Sequence, residues 1–175
     1  MSALDRNAQN LNMLSPLGFK FMVRKLPDVN YFLQRVSVPE ISITPVTQPT
    51  PFTANHHPGD HIDYGHLDLV FKVDEDMNNY TQIHNWLRGT GFPEEFSEYQ
   101  ELINAGRESI GGGLKSDASL IITTNLKNPN IEITFIDCFP IALGSIDMNT
   151  TDLSVEYITC SARFAYTLFE ITVLP

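Results

Sequence analysis

The sequence is short of positive charge. Its 175 residues include 11 Lys and Arg against 21 Asp and Glu, which gives a formal net charge of −10. Surfaces that bind DNA or RNA are usually basic, so this balance argues against a conventional nucleic-acid-binding protein. The excess of negative charge fits either ordinary solubility or a surface that must repel polyanions.

Long apolar runs are also missing. No run approaches the roughly 18 residues that a membrane-spanning helix needs, and we predict no contact with a membrane. The N-terminus, MSALDRNAQNLNML, is polar and carries both signs of charge, so it does not predict a signal peptide.

The two cysteines, Cys138 and Cys160, lie in predicted strands. We interpret them as buried free thiols of a reducing compartment, with a disulfide between neighbouring strands as the alternative.

Recognisable catalytic motifs are absent as well. The sequence contains no nucleophile elbow and no CxxC pair. The glycine run over 111–113 lacks the GK[ST] ending of a phosphate loop and does not join a strand to a helix. Carboxylates are plentiful but scattered over predicted helix faces and loops, where solvation explains them. The sequence therefore predicts no enzyme and no cofactor.

One histidine-rich segment is a candidate for a metal site. The stretch HHPGDHIDYGH contains four histidines and two aspartates, namely His56, His57, His61, His66, Asp60 and Asp63. These residue types are plausible zinc ligands, but their spacing matches no strong metal-binding motif. Pro58 and Gly59 also form an ordinary turn signal. A solvated surface loop without metal is the preferred interpretation, with a zinc site as the alternative.

What the sequence does contain is a mostly β pattern. An apolar content of 42% is enough for the core of a single domain, 1–175. Alternation of apolar and polar residues predicts strands over 19–23, 31–38, 67–73 and 118–124. The first two are expected to pair as a hairpin. Between the second and the third, five prolines punctuate an extended loop over 43–63 and the residues just before it.

One amphipathic helix stands out in DEDMNNYTQIHNWLRG. Tyr80, Ile83 and Trp86 fall at helical spacing on one face, which predicts that they pack against the core rather than bind a ligand. The acidic run 74–76 is expected to open this helix and Gly89 to end it. Residues 93–117 are predicted to form an insertion, which consists of a second, acidic helix followed by a flexible loop.

The last third of the chain carries the most specific pattern. Two strand patterns, IEITFIDCF and LSVEYITCSARFAYTLFEI, flank a polar connector. The second exceeds the usual strand length of about 5–6 residues, and its alternation slips by one residue. Because such a slip would turn every later side chain to the other face, we predict a β-bulge near Tyr157–Ile158. A bent strand of this kind forms the wall of a barrel or sandwich and favours a role in assembly.

This pattern resembles the C-terminal part of the tail tube proteins of contractile-tailed bacteriophages. The resemblance rests on the aromatic–proline pair Phe139-Pro140, a small residue at Gly144, a polar turn over 149–152 and an aromatic stretch over 164–166. Two further pieces are similar to the family. They are DLVFKVDEDMNNYTQIHNWLRG, as its strand, acidic turn and Trp-bearing helix, and FLQRVSVPEISI, as its second strand before a long loop.

The resemblance covers most of 18–171, whereas an N-terminal arm, 1–15, and the 93–117 insertion depart from it. It implies a mainly β fold, either a small β-barrel or two packed antiparallel sheets with one flanking α-helix. Six copies would form a ring, and rings would stack inside a contractile sheath around a lumen that conducts phage DNA. The related type VI secretion tube shares this architecture.

The resemblance also implies partners and a location. The partners are other copies of the chain, the tail sheath protein, baseplate or tail-terminator proteins, and DNA that passes without specific binding. The location is the tail of a virion, assembled in the host cytoplasm. A baseplate tube initiator of the same family is one alternative. A monomeric small-ligand-binding β-barrel is the alternative from another class.

Two groups of residues are candidate assembly sites. The 43–63 loop exceeds the usual hairpin connection of about 2–5 residues, and its prolines lower the entropy lost on ordering. The resemblance implies that this loop reaches neighbouring subunits and the adjacent ring, with candidate contacts at Ile43, Pro45, Pro49, Pro51, Phe52, His56, His57 and Asp60. In the lumen, like charge would keep DNA from sticking, and the candidates are Glu132, Thr134, Ser154 and Glu156.

Overall fold

The computed structural model describes residues 12–107, 113–150 and 157–174. Within these ranges the chain forms eleven strands: β1 (Phe19–Val23), β2 (Leu33–Ser37), β3 (Ile41–Ile43), β4 (Val46–Pro49), β5 (Ala54–His57), β6 (Ile62–Tyr64), β7 (Leu67–Lys72), β8 (Ser116–Thr123), β9 (Pro129–Leu143), β10 (Thr159–Ala165) and β11 (Leu168–Val173). The same ranges contain three helices: α1 (Pro27–Phe32), α2 (Asn78–Gly91) and α3 (Phe96–Arg107).

Seven of the strands form one antiparallel sheet in the order β1-β8-β9-β10-β7-β2, with β11 paired to β9. Strand β9 is 15 residues long and belongs to two parts of this sheet. Its first part, 131–136, lies between β8 and β11, and its second part, 139–143, pairs with β10. We call β1, β8, the first part of β9 and β11 half-sheet 1. The second part of β9, β10, β7 and β2 form half-sheet 2.

The two half-sheets pack on one shared core. Leu120 and Phe135 of half-sheet 1 and Phe71 and Phe164 of half-sheet 2 are at most 3% exposed and belong to the same cluster. Burial of each such side chain stabilises the fold by about 1.5–3 kcal/mol. The predicted class, mainly β with packed antiparallel sheets, is therefore confirmed. Within the described ranges, however, the sheet is open and does not close into a barrel.

The sheet bends where β9 passes from one half-sheet to the other. Asp137 has a φ of 61°, a left-handed conformation that Asp tolerates better than most residues. Its N–H donates to the Asp117 carboxylate at 3.1 Å. On the facing side, Tyr166 and Thr167 separate β10 from β11, and the Thr167 N–H donates to the Ile136 carbonyl at 3.0 Å. Both sides of the strand pair therefore bend at the same place.

This bend corrects the sequence interpretation of the C-terminal strand. Tyr157 and Ile158 precede β10, so the β-bulge predicted there is wrong. The long C-terminal strand pattern is instead interrupted at Tyr166–Thr167, between β10 and β11, because the chain there follows the bend of β9. Within β10 the two-residue alternation is regular, since every second residue from Cys160 to Phe164 is buried. Residues 151–156 lie outside the described part of the chain.

The N-terminal segments also differ from the expected hairpin. Strand β1 pairs with β8 and β2 pairs with β7, at opposite ends of the sheet order. Helix α1 occupies the start of the segment predicted as a second strand, with Pro27 at its first turn and Val29 buried. The Asn30 side chain bonds both backbone groups of Val23, at 2.8 and 3.1 Å. The helix therefore carries the chain across the core instead of turning it back on β1.

Helix α2 is present, but its ends differ from the prediction. The acidic run precedes the helix, which follows Met77, whose φ is 54°. Gly89 does not end the helix, which continues to Gly91. A Cβ on Gly89 would lie 3.1 Å from the Leu102 side chain, so this glycine permits the close packing of α3. Ile83 and Trp86 are buried, and Tyr80 packs half-buried against the core.

Both cysteines are buried free thiols, which confirms that part of the sequence interpretation. Burial raises the pKa of Cys138 from 9.0 to about 12, with a smaller contribution from the Asp117 charge. Burial raises the pKa of Cys160 as well. Because the thiolate is the reactive form, both groups are expected to be inert in the folded protein.

Candidate assembly surfaces

The segment predicted as an extended loop is a projecting two-stranded arm. Strand β3 pairs with β6, and β4 pairs with β5, so that residues 41–64 form a long hairpin. The Thr50 N–H donates to the Thr53 carbonyl at 3.0 Å and closes the tip, where Phe52 is 98% exposed. Every residue of β3, β4 and β5 is exposed. An isolated two-stranded hairpin is marginally stable in water, so this arm is suited to contact another surface.

The base of the arm has an apolar face. Ile41 lies opposite Tyr64, and Ile43 lies opposite Ile62, which places all four on one side of the ladder. The three isoleucines remain 49–54% exposed. The Tyr64 ring contacts Phe169 of β11 at a centroid distance of 5.6 Å. The apolar face of the arm therefore continues onto half-sheet 1.

Strand β11 extends this apolar surface. Phe169, Ile171 and Val173 alternate on the inner face, opposite core-facing positions of β9. Ile171 is nevertheless 60% exposed and Val173 74% exposed. We call Ile41, Ile43, Ile62, Phe169, Ile171 and Val173 the apolar strip. Contiguous exposed apolar surface of this kind marks an interaction site more often than a bare solvent face.

Three strands adjoining the core have an unpaired edge. Within the described ranges, β1 pairs only with β8, β2 only with β7, and β11 only with β9. An unpaired edge presents free backbone N–H and C=O groups that can add a strand from another chain. The edge of β11 is next to the apolar strip, so backbone pairing and apolar burial could occur in one contact.

The two outward faces of the sheet differ in charge. Glu132 and Thr134 point outward from half-sheet 1, because they alternate with buried Ile133 and Phe135. Their neighbours across the sheet include Glu170 of β11, and Lys20 of β1 lies on the same face. Asp117 of β8 also points outward, because it alternates with buried Ser116 and Ala118. One lysine against these three carboxylates gives this face a net charge of −2. The other two lumen candidates, Ser154 and Glu156, lie outside the described part of the chain.

The outward face of half-sheet 2 is basic. It carries three cations and one carboxylate, Arg35, Lys72, Arg163 and Asp68, for a net charge of +2. Arg163 Nε lies 2.8 Å from the Asp68 carboxylate, at a half-exposed position. This basic face was not predicted from the sequence. The alternation of β7 and β10 could have revealed it, since the charged residues fall at the positions between the buried ones.

Most of the negative charge lies on the helical side instead. Residues 74–104 contain seven carboxylates and Arg88 as the one Lys or Arg, a net charge of −6 out of the chain total of −10. The carboxylates are Asp74, Glu75, Asp76, Glu94, Glu95, Glu98 and Glu101. The overall charge of the protein therefore says little about the charge of either outward sheet face.

The histidine-rich segment is spread along the arm. His56 pairs with Thr47 at 3.3 Å and His57 with Gln48 at 3.2 Å, both across the β4–β5 ladder. His61 Nδ1 lies 3.0 Å from Asp60 Oδ1, with both side chains almost fully exposed. Within the described ranges, no three His, Cys, Asp or Glu side chains are grouped so that they could hold a metal ion. The same part of the chain has no helix long and apolar enough to cross a membrane.

No protein-family model and no curated protein matches the sequence, but solved structures match the fold. A chain of the tube-terminating cap of the anti-feeding prophage matches with a TM-score of 0.67 at 12% identity, over 99% of this chain and 100% of that one. A chain of the anti-feeding prophage baseplate, 6-fold symmetrised, matches with a TM-score of 0.59 at 13% identity, over 88% and 90%.

A third match is to a chain in the sheath–tube complex of PVC, an extracellular contractile injection system. Its TM-score is 0.55 at 16% identity, over 89% of this chain and 88% of that one. The resemblance to tail tube proteins is confirmed at the level of the fold. The protein therefore shares its fold with chains of the anti-feeding prophage cap and baseplate and of the PVC sheath–tube complex.

Proposed function

We propose that the protein is a structural subunit of a contractile tail or injection-system tube, and that it forms hexameric rings. The observation that carries the proposal is the apolar strip beside the unpaired edge of β11. A second copy that covered this strip would bury half-exposed Ile and Val side chains and satisfy free backbone groups together. The shared fold, and the six-fold symmetry of the matching baseplate, support a ring as the form of this self-association.

The packed interior disfavours the rival function of a small-ligand-binding barrel. Phe71, Phe135 and Phe164 fill the space between the half-sheets and are at most 1% exposed. A ligand site of this class is normally a concave, largely apolar cavity. Tube, cap and baseplate proteins are structural components, so the same proposal assigns the protein no enzymatic activity.

Introduction of a positive charge on β11 tests the proposal. Ile171→Lys places a cation in the apolar strip, whereas Thr172→Lys places the same charge one residue away on the outward face, opposite Glu132. We expect the natural protein and Thr172→Lys to form rings of six 19.7 kDa chains by native mass spectrometry and negative-stain microscopy. Ile171→Lys should be monomeric. Rings of normal yield from Ile171→Lys, or a natural protein that stays monomeric, would contradict the proposal.

A tube-end subunit is the second candidate, as a cap or as the baseplate tube initiator. The observation that favours it is the higher TM-score to the tube-terminating cap, 0.67, than to the chain of the sheath–tube complex, 0.55. Microscopy of the natural protein separates the two roles. A tube protein should stack into long tubes, whereas a tube-end protein should stop at one or a few rings.

The cargo of the channel is a further part of the proposal. If the lumen conducts phage DNA during ejection from a virion, its wall must avoid phosphate contacts, which requires neutral or negative charge. This condition selects the outward face of half-sheet 1, with Glu132 and Thr134, over the basic face of half-sheet 2. Partners would then be the sheath outside the tube and baseplate or terminator proteins at its ends.

Cysteine labelling of assembled rings tests which face lines the channel. Thr134→Cys marks half-sheet 1, and Ser161→Cys marks half-sheet 2 at a matching outward position. A maleimide attached to a particle too wide for the channel should leave Thr134→Cys unlabelled in rings and label it in dissociated subunits. Protection of Ser161→Cys instead would place the basic face in the channel and refute passage by charge repulsion.

A further inference from the structure

We propose that an exposed aromatic cluster at the junction of α2 and α3 docks an arginine-bearing segment of another protein. The cluster consists of Phe92, Phe96 and Tyr99. Their ring centroids lie 5.8 Å apart for Phe92 and Phe96, 5.7 Å for Phe92 and Tyr99, and 5.5 Å for Phe96 and Tyr99. The site lies on the helical side of the molecule, and its proposed role does not depend on assembly of the protein into hexamers.

The cluster is not part of the core. Phe92 is 45% exposed and Phe96 is 58% exposed, and none of the three rings belongs to the core cluster or packs against it. Phe92 also has a φ of 33° at the end of α2, a left-handed position that normally favours glycine. A bulky residue in this conformation, with its ring in solvent, indicates a functional constraint on that ring.

The junction is held in one geometry before any partner arrives. Arg88 of α2 bonds Glu94 at 2.5 Å and Glu98 at 2.6 Å, which ties the connecting loop and α3 to α2. Gly89 allows Leu102 to pack directly on α2. Because the rings rest on this fixed junction, a partner would lose little binding free energy to ordering them.

The charge around the rings defines the partner. Residues 88–101 contain four carboxylates, Glu94, Glu95, Glu98 and Glu101, and one Lys or Arg, Arg88, for a net charge of −3. Nucleic acids and anionic membranes are repelled by such a surface. An arginine guanidinium satisfies both features, because it stacks on aromatic faces and bonds carboxylates in a planar fork. A lysine ammonium is more strongly hydrated and lacks the planar stacking surface.

A labelled peptide pair can measure this preference. The first probe is a fluorescein-labelled helical peptide with arginine and leucine on one face, and the second is the same peptide with every arginine replaced by lysine. Fluorescence anisotropy with the full-length protein should show that the arginine peptide binds more tightly. Its affinity should fall about tenfold in the double variant Phe96→Ser, Tyr99→Ser, the loss expected from removing an aromatic cation-binding surface.

Two controls make the outcome specific. Tyr31→Ser removes an 84% exposed aromatic ring on α1 and should leave the affinity unchanged. Glu95→Gln with Glu101→Gln removes two charges and should weaken binding and its salt dependence while the rings remain. Equal binding of both peptides, equal binding to the double variant, or no binding would overturn the proposal. Concentration-dependent pairing of the protein through these rings would also overturn it, because a second copy would then be the occupant.

Discussion

Replacement of Trp86 by alanine should destabilise the protein strongly, because this side chain joins α2 to the rest of the core. The indole is 4% exposed and meets the Phe164 ring of half-sheet 2 at a centroid distance of 6.1 Å. Its Nε1–H donates to the Leu114 carbonyl at 2.9 Å, and the Lys25 ammonium lies 4.9 Å from the ring centroid. One truncation therefore removes packing, a hydrogen bond and a cation–π contact.

The expected cost follows from these contacts. Truncation of a buried tryptophan to alanine lowers the free energy of unfolding by about 3–5 kcal/mol, and the lost hydrogen bond accounts for roughly 1 kcal/mol of this. For a chain of this size, each kcal/mol lowers Tm by about 2–4 °C. Thermal unfolding of Trp86→Ala should therefore occur roughly 6–20 °C below that of the natural protein.

Urea unfolding followed by circular dichroism measures the same loss independently. Tyr31→Ala is the matched control, because it removes an aromatic ring that is 84% exposed, and its effect should stay within about 0.5 kcal/mol. Trp86→Phe should fall between the two, since it keeps a ring against Phe164 but loses the bond to Leu114. A loss below about 1 kcal/mol in Trp86→Ala would show that the indole does not join the helix to the core.

Three further predictions address the arm, the helix junction and pH. Replacement of residues 46–61 by a short Gly-Ser turn should preserve the folded subunit, because this part of the arm lies outside the core, but abolish stacking of rings under the microscope. Gly91→Ala should raise stability by about 0.5–1 kcal/mol through helix propensity, whereas Gly89→Leu should lower it by about 1–3 kcal/mol through overpacking against α3. Burial raises the pKa of Cys138 from 9.0 and of Tyr166 from 10.0, each to about 12. Both pKa values are higher in the folded state than in the unfolded state, so deprotonation above pH 9 favours the unfolded chain. The contribution of these groups to the free energy of unfolding is therefore fully present below pH 9 and is lost as the pH rises towards 12.

Each of these predictions has a decisive contrary result. If the variant with the shortened arm still forms tubes of normal length, or still joins a baseplate partner normally, the arm is not the contact between stacked rings. Equal stability of the two glycine variants would show that α3 does not pack closely at Gly89. For the pH prediction, Cys138→Ala should show a smaller fall in Tm between pH 9 and 10, and an unchanged fall would assign the loss to other groups.

Local patterns in the sequence determined which side chains enter the core. The two-residue period of β7 and β10 and the helical spacing of Ile83 and Trp86 depend only on neighbouring residues, so they can be read without knowledge of the fold. The alternating order of strands and the Trp-bearing helix also carried the resemblance to tail tube proteins. The acidic balance was equally evident, although not its location.

Pairing and surface composition were decided by tertiary structure. The sequence could not show that β1 and β2 lie at opposite ends of the sheet, because α1 occupies the start of an apparent strand. The bend at Asp137 required a backbone conformation that alternation does not encode. The extended loop became a paired arm because its two halves form a ladder with each other.

The candidate assembly surface shows the same division most clearly. The apolar residues of the arm and of β11 are visible in the sequence, but they are more than 100 residues apart, and only the Tyr64–Phe169 contact makes them one strip. Likewise, alternation places charged residues outside the core, but the sheet order separates a face of net charge −2 from one of +2. Side-chain direction is a local property of the backbone, whereas a surface is made by strands that the chain brings together over long separations.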